Sequence, residues 1–297
     1  MKKGIIYGIL CYLMWGLLPL YWRLFEAMSA WEILAHRVVW SFVFVAVLVI
    51  AAKRWKQLLS VVSTKTSLIS VILCSITISL NWVLFIWAVN HDHVIETSLG
   101  YYMNPLISVL FAVIFLKERL LPGQWISIGL AGAGVLLMAV QYGEIPWVAL
   151  LLAISFALYG LAKKLSNPDA LLGLLWETII VLPLSVIYLG WLHVEGTGTF
   201  FQLSPVTMIL LLLSGAATAL PLFFFANATK RLPLSMVGFI QYIAPTTSLL
   251  LAIFVFHESF TTGKLISFTL IWVALIVYSA VTFRGSKLAQ PGKKTAA

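Results

Sequence analysis

Charge is scarce in this chain. Only 10% of its 297 residues are Asp, Glu, Lys or Arg, whereas a soluble protein carries roughly 25%. Together with 62% hydrophobic residues and a mean hydropathy of +1.03, this excludes a soluble globular domain and predicts an integral membrane protein. Cysteine is equally sparse. Cys11 and Cys74 both fall in apolar runs and lack metal-ligand spacing, so neither a disulfide framework nor a thiolate metal centre is indicated. No P-loop, GxSxG or HExxH pattern occurs, which removes ATP-driven transport and the familiar hydrolases. No long polar stretch offers a separate extramembrane module. The start, Met1-Lys2-Lys3 before an apolar segment, resembles a signal peptide, but the run continues through Trp15, Pro19 and Trp22 without a small-residue cleavage site. A retained first helix is expected.

What the chain has in abundance is long apolar runs. They cover about 4–22, 32–52, 67–90, 97–116, 124–142, 145–162, 170–192, 206–229, 234–256 and 264–283. Each is long enough to span a bilayer, and in lipid such segments must be helical to satisfy their own backbone. The fold class expected is an all-α integral membrane protein of ten transmembrane helices. The net charge of +9 sits on residues scattered between the runs, so it reports topology rather than nucleic-acid binding. With the N-terminus in the cytoplasm, Lys2, Lys3, Lys53, Arg54, Lys56, Lys65, Lys117, Arg119, Lys163, Lys164, Lys230, Arg231, Arg284, Lys287, Lys293 and Lys294 are all cytoplasmic, 16 of 19 basic residues. Glu26, Glu32, Asp92, Glu96, Glu144, Glu195 and Glu258 fall on the other side. Both termini are then cytoplasmic.

The ten runs form two sets of five. At an offset of 140 residues Pro105 meets Pro245, Tyr102 meets Tyr242, Ser108 meets Ser248, Ala112 meets Ala252, Glu118 meets Glu258, Ala88 meets Ala228 and Gly123 meets Gly263. Arg37 and Glu177 share that offset, and Trp15-Gly16 meets Tyr159-Gly160 at 144. Because five is odd, the second set enters from the opposite side, giving two inverted five-helix repeats (1–142 and 143–284) and a disordered cytoplasmic tail (285–297). Inverted repeats are how many secondary carriers build two gates around one central site. On the fourth span Ser98, Tyr101, Pro105, Ser108 and Ala112 share one helical face, as do Gly238, Gln241, Pro245, Ser248 and Ala252 on the ninth. These stripes either line a mid-membrane cavity or let helices approach closely; the cavity is the reading carried forward.

Arg37 and Glu177 are charges well inside predicted spans, about 8 Å and 10 Å from opposite surfaces at 1.5 Å per residue. Arg37 is a candidate ligand for a substrate carboxylate, and Glu177 for proton coupling; structural pairing or snorkelling to headgroups is the alternative for each. Asn81 and Asn104 are either interhelical glue or substrate partners. Tyr101, Tyr102, Gln241 and Tyr242 lie deeper than an interfacial belt requires, and with Trp15 and Tyr159 they are expected to form an amphipathic aromatic box; Trp82, on the third span, is a further substrate-binding candidate. Trp22 falls at a span end, where the interfacial explanation suffices. Pro105 and Pro245 are candidate hinges. Glu118 and Glu258 read as caps or local ion pairs. His91-Asp92-His93 reads as interfacial rather than as a metal site, and Gly129, Gly132 and Gly134 as close packing, within the chain or between protomers.

HRVVWS (His36–Ser41), SLNWVLFIWAVN (Ser79–Asn90), ETSLGYYMNPLISVLFAVIFLKERL (Glu96–Leu120), WETIIVLPLS (Trp176–Ser185), TALPLFFFANATKRLPLSMVGFIQYIAP (Thr218–Pro245) and FVFHE (Phe254–Glu258) resemble the RarD group of EamA-type permeases in the drug/metabolite transporter superfamily. The resemblance spans all ten runs. It implies a bacterial cytoplasmic-membrane permease whose pocket is lined mainly by spans 1, 3, 4, 6, 8 and 9, with Trp15, Asn81, Tyr101, Tyr102, Asn104, Tyr159, Gln241 and Tyr242 inside it. It also implies relatives that export amino acids and related metabolites, and a group name tied to chloramphenicol sensitivity. The function expected is alternating-access transport, with export favoured, of a small amphipathic metabolite such as an amino acid, an aromatic compound or a chloramphenicol-like drug. No enzyme activity, cofactor or metal is expected; the proton is the coupling ion considered, and the state is a monomer or homodimer. Uptake of a related metabolite, a membrane-embedded transferase and a non-transporting membrane subunit are the alternatives.

Overall fold

The computed structural model describes residues 1–91, 93–166, 169–255, 257 and 262–288. Asp92, Glu258 and 289–297, on which sequence expectations were placed, lie outside them. The chain is all helical among the described residues, with ten segments long and apolar enough to cross a membrane. The helices are α1 (Lys2–Trp22), α2 (Ala30–Ala51), α3 (Lys65–Asn90), α4 (Val94–Leu116), α5 (Pro122–Tyr142), α6 (Trp147–Leu165), α7 (Ala170–Val194), α8 (Pro205–Arg231), α9 (Leu234–Gln241), α10 (Ile243–Phe254) and α11 (Thr262–Leu288). Helices α9 and α10 together make the ninth span. The first expected difference is at the end: α11 runs to Leu288, into the segment expected to be a disordered tail.

Start signals are local and polar. Ser29, Thr64, Asp169 and Ser204 each accept a hydrogen bond from a backbone N–H in the first turn of α2, α3, α7 and α8, the ordinary satisfaction of an N-terminal orphan donor. Helices α6 and α9 begin after prolines, Pro146 and Pro233, and have no side-chain cap of their own. Both borrow a carboxylate from the two ends of α4. Glu96 accepts from the Val148 N–H at 2.9 Å and from the Tyr142 hydroxyl at 3.1 Å. Glu118 accepts from the Leu234 N–H at 2.6 Å, the Ser235 N–H at 3.1 Å and the Ser235 hydroxyl at 2.6 Å. A negative charge at a helix N-terminus also meets the positive end of its dipole. Glu118→Ala is therefore expected to cost about 1–3 kcal/mol, the range for leaving buried donors unpaired. Thermal unfolding of the purified protein measures it, with Glu118→Gln recovering part of the loss.

Packing follows an exchange rule. The principal interfaces are α1 with α8, matched by α6 with α3; α2 with α8, matched by α7 with α3; and α4 with α6, matched by α9 and α10 with α1. Helix α2 pairs with α7, α4 with α9, and α5 with α11, each with its own counterpart. Nearly every large interface thus joins the first five spans to the last five, so neither set has a core of its own. The tightest crossing is α2 over α8 at Gly215, where a Cβ would lie 2.1 Å from the Trp40 carbonyl oxygen. Only glycine permits that approach.

The interior differs between the two ends of the bundle. Toward the end carrying Lys2, Arg54, Lys117, Lys164 and Arg231, one continuous apolar cluster joins α1, α2, α3, α6, α7, α8 and α9 through Tyr12, Val45, Cys74, Tyr159, Leu174, Phe225 and Leu234. Arg54 pairs with Asp169 at 2.9 Å, and the Lys164 ammonium donates to the Leu232 carbonyl at 2.6 Å, closing that end. Toward the opposite end the core divides. Phe25, Met28 and Leu211 hold the turn after α1 to α8, while Ala88, Val148 and Leu152 hold α3 to α6.

Candidate functional site

The space between those two groups contains Arg37. Its guanidinium carbon lies over the Trp22 ring at 4.6 Å and the Trp82 ring at 5.2 Å, and Nε donates to the Thr218 hydroxyl at 3.2 Å. Tyr101, on α4, is close enough for the Arg37 charge to act on its phenol, although α2 and α4 form no principal interface. Tyr101 is 52% exposed, and since it also lies within reach of the Arg37 charge, its open face borders a hollow beside Arg37. Phe85 lies beside it, with ring centroids 6.1 Å apart. Asn81 is on the same wall but is occupied: its amide donates to the Leu152 carbonyl at 3.0 Å and the Ser155 hydroxyl at 2.9 Å, tying α3 to α6.

Below this vestibule sits an aromatic plug. Trp15 packs against Tyr12 at 5.5 Å, Phe156 at 5.4 Å and Phe225 at 5.8 Å, and Tyr159 stacks on Phe225 at 5.5 Å. Tyr12 with Trp15 on α1 and Phe156 with Tyr159 on α6 are the same two helical positions in the two sets of spans. Beneath the plug lies a buried polar group. The Lys163 ammonium is ion-paired with Glu177, which also accepts from the Tyr159 hydroxyl at 3.3 Å. A cavity of about 20 Å³ adjoins this pair, with Ser41, Trp82, Glu177 and Thr178 in its walls. That is room for one water molecule.

Against the sequence expectations, the aromatic residues do not form one box. Trp15 and Tyr159 belong to the plug and Tyr101 to the vestibule. Tyr102 and Tyr242 pack in a separate cluster with Phe268 and Leu249, between α4, α10 and α11. Tyr102 donates to the Pro245 carbonyl at 3.5 Å. Asn104 is buried and accepts from the Ser108 hydroxyl at 3.4 Å, and Gln241 is buried and accepts from the Tyr12 hydroxyl at 3.4 Å. The stripes meet each other instead of enclosing space. A Cβ at Gly238 would lie 3.0 Å from the Pro105 carbonyl oxygen. The two prolines also differ: the ninth span breaks at Tyr242, just ahead of Pro245, whereas α4 runs unbroken through Pro105. Pro245 leaves the Gln241 carbonyl without its helical donor, which accounts for the break.

Sequence reasoning missed three residues. Lys163 was placed in a cytoplasmic loop because the apolar run ends at 162, yet α6 continues to Leu165 and Lys163 is 3% exposed. Its partner Glu177, 14 positions on, was the available signal, since a buried carboxylate demands a counter-charge. Trp22, assigned to the membrane interface, covers Arg37 instead. Thr218 carried no signal beyond being polar in a span. Elsewhere, Gly134 packs on the Ser267 carbonyl, whereas Gly129 and Gly132 meet nothing within 4 Å in this chain. His91 stacks on Trp87 at 4.6 Å and His93 contacts Glu96 at 2.8 Å.

A model of the EamA-like transporter family matches residues 2–140. An "Uncharacterized transporter YojE" of Bacillus subtilis is 48% identical over 282 residues, covering 94% of both chains. "Protein RarD" of Escherichia coli is 40% identical over 278 residues, covering 93% of this chain and 94% of its own. A "Chloramphenicol-sensitive protein RarD" of Pseudomonas aeruginosa is 30% identical over 279 residues, covering 93% of each. A crystal structure of a protein only 18% identical superposes with a TM-score of 0.71 over 94% of this chain and 98% of its own, a likeness of fold alone. With ten membrane-spanning helices and relatives of this identity along nearly its whole length, the chain is a multi-pass membrane protein of the EamA-like transporter family, of the RarD type.

Proposed function

We propose that this protein is a secondary transporter of the bacterial cytoplasmic membrane that moves a small amphipathic metabolite by alternating access. The observation that carries the proposal is the uneven interior: one end of the bundle is sealed by a continuous core, and the other opens on the vestibule of Arg37, Trp82 and Tyr101. Residues 1–142 and 143–284 act as the two inverted repeats. The exchange-symmetric packing supports this division, as does a family-model match that stops at 140, near the end of α5. A pseudo-two-fold arrangement in which only one end is open has an alternative state in which the other end opens. With the basic loops and both termini in the cytoplasm, the present conformation faces outward.

In this scheme Trp82 and Tyr101 flank the apolar body of the substrate, and the plug of Trp15, Tyr12, Phe156, Tyr159 and Phe225 forms the inner gate. Gln241, Tyr242 and Asn104, buried now, become wall residues when the gate opens. The Glu177–Lys163 pair beside a cavity for one water is suited to proton coupling, because protonating Glu177 would release Lys163 and loosen α6 from α7. Export is the direction favoured, on the resemblance to metabolite-exporting permeases alone. The test compares metabolites retained by cells lacking the protein with those of cells overproducing it, then repeats the comparison with Tyr101→Ala. A difference of at least tenfold for one metabolite class, lost in the variant while the protein remains in the membrane, is expected. An identical metabolite profile in all strains would refute the proposal.

A further inference from the structure

Among the described residues, none answers the charge of Arg37. Among the described residues no carboxylate comes within 4 Å of it, and its only hydrogen-bond acceptor is the Thr218 hydroxyl, through Nε. The other buried acids near the interior are engaged: Glu177 by Lys163 and Tyr159, Glu96 by Val148 and Tyr142, and Glu32 by Thr199 and Phe200. A guanidinium inside a membrane protein without a counter-charge is costly. The Trp22 and Trp82 rings recover part of that cost through their π faces, but among the described residues the two terminal amino groups have no acceptor. Those N–H groups form the planar fork that matches a carboxylate, and they sit in the hollow that Tyr101 shares.

Resting on the transport reading above, we infer that the substrate is an organic monoanion, an amphipathic carboxylate whose carboxyl group docks on the terminal nitrogens of Arg37. Its apolar body then lies between the Trp22 and Trp82 indoles and the exposed Tyr101 ring, where aromatic side chains supply large contact area with a polar edge. A single negative charge is specified because, among the described residues, the vestibule offers one positive charge without a carboxylate partner, that of Arg37. A phosphate dianion would leave a charge uncompensated in a low-dielectric site, and an organic cation would be repelled. The bound anion neutralises Arg37, so the loaded site is cheaper to close away from water than the empty one.

Calorimetric titration of the full-length protein in nanodiscs with phenylacetate, phenylacetamide and phenethylammonium tests this, since the three probes share one ring and differ in charge. Phenylacetate is expected to bind at least tenfold more tightly than the amide, and the cation more weakly than either. Arg37→Gln should abolish the preference for phenylacetate over phenylacetamide. Equal affinity for phenylacetate and phenylacetamide in the unsubstituted protein overturns the anion assignment and leaves the vestibule standing. Binding of none of the three removes the vestibule as well. The charge preference is read on the unsubstituted protein, so it decides the matter even where Arg37→Gln fails to fold.

Discussion

Replacing Lys163 with methionine is expected to destabilise the protein by about 3–5 kcal/mol, among the largest effects of any single substitution in the chain. Methionine keeps most of the volume and the flexible stem, so lost packing contributes little. The cost arises because Glu177, 5% exposed, is left as a buried carboxylate with only the Tyr159 hydroxyl as donor. Removing one partner of a buried pair is far worse than removing both. The double variant Lys163→Met with Glu177→Gln should therefore regain most of the loss, because Gln is neutral and still accepts from Tyr159. The measurement is a double-mutant cycle of thermal unfolding in detergent. Additive losses in the two single variants and the double would show that the pair does not hold α6 to α7. The same double variant separates folding from coupling: it should be stable and yet lose any dependence of transport on a proton gradient.

The second large effect belongs to Gly215. A methyl group there would stand 2.1 Å from the Trp40 carbonyl oxygen and 2.7 Å from the Ser41 nitrogen, well inside van der Waals contact. Backbone cannot swing aside as a side chain can, so Gly215→Ala must push α2 and α8 apart and break the bond from the Ser41 hydroxyl to the Gly215 carbonyl, now 3.3 Å. The α2–α8 crossing also carries the bond from Arg37 to Thr218. A loss above about 4 kcal/mol is expected, seen as failure to recover monodisperse protein after extraction. Gly132→Ala is the control, since no atom lies within 4 Å of its added carbon. It should change stability by less than about 1 kcal/mol, in the stabilising direction, because alanine is the better helix former. Equal yields of the two variants would remove the argument for the close crossing.

Much of the architecture could be read from residues alone. Helices in lipid must be apolar and roughly 20 residues long, and the ten runs met that requirement. The site was legible only in its charges. Arg37 and Glu177 stand out because an ionised group in an apolar run needs a reason to be there. Lys163 did not, because at the end of a run it looks like a loop residue, and pairing across helices is invisible to a reading along one helix. Tyr102 and Tyr242 look the same as Tyr101 in sequence. Which tyrosine meets space and which meets α11 depends on how α4 and α10 are rotated in the assembled bundle, and no local pattern encodes that. Trp22 shows the converse: its position at a span end is ordinary, and only the placement of α2 brings Arg37 beneath it.

That the major interfaces all join early helices to late ones has a consequence for how the molecule is made. At about 5–20 residues per second, the ribosome needs on the order of ten to thirty seconds to deliver the last five helices after the first five are inserted. During that interval Arg37 has no Thr218, Asn81 no Ser155 and Glu96 no Val148 amide, and all three groups sit against lipid or the insertion machinery. A nascent chain stalled after α5 should thus be a target for membrane proteases and should crosslink to insertase subunits through α2 and α3. Release comes when α6 supplies the partners of Asn81 and Glu96 and α8 that of Arg37, which makes synthesis of the second half, rather than insertion of the first, the step that commits the protein to its folded state.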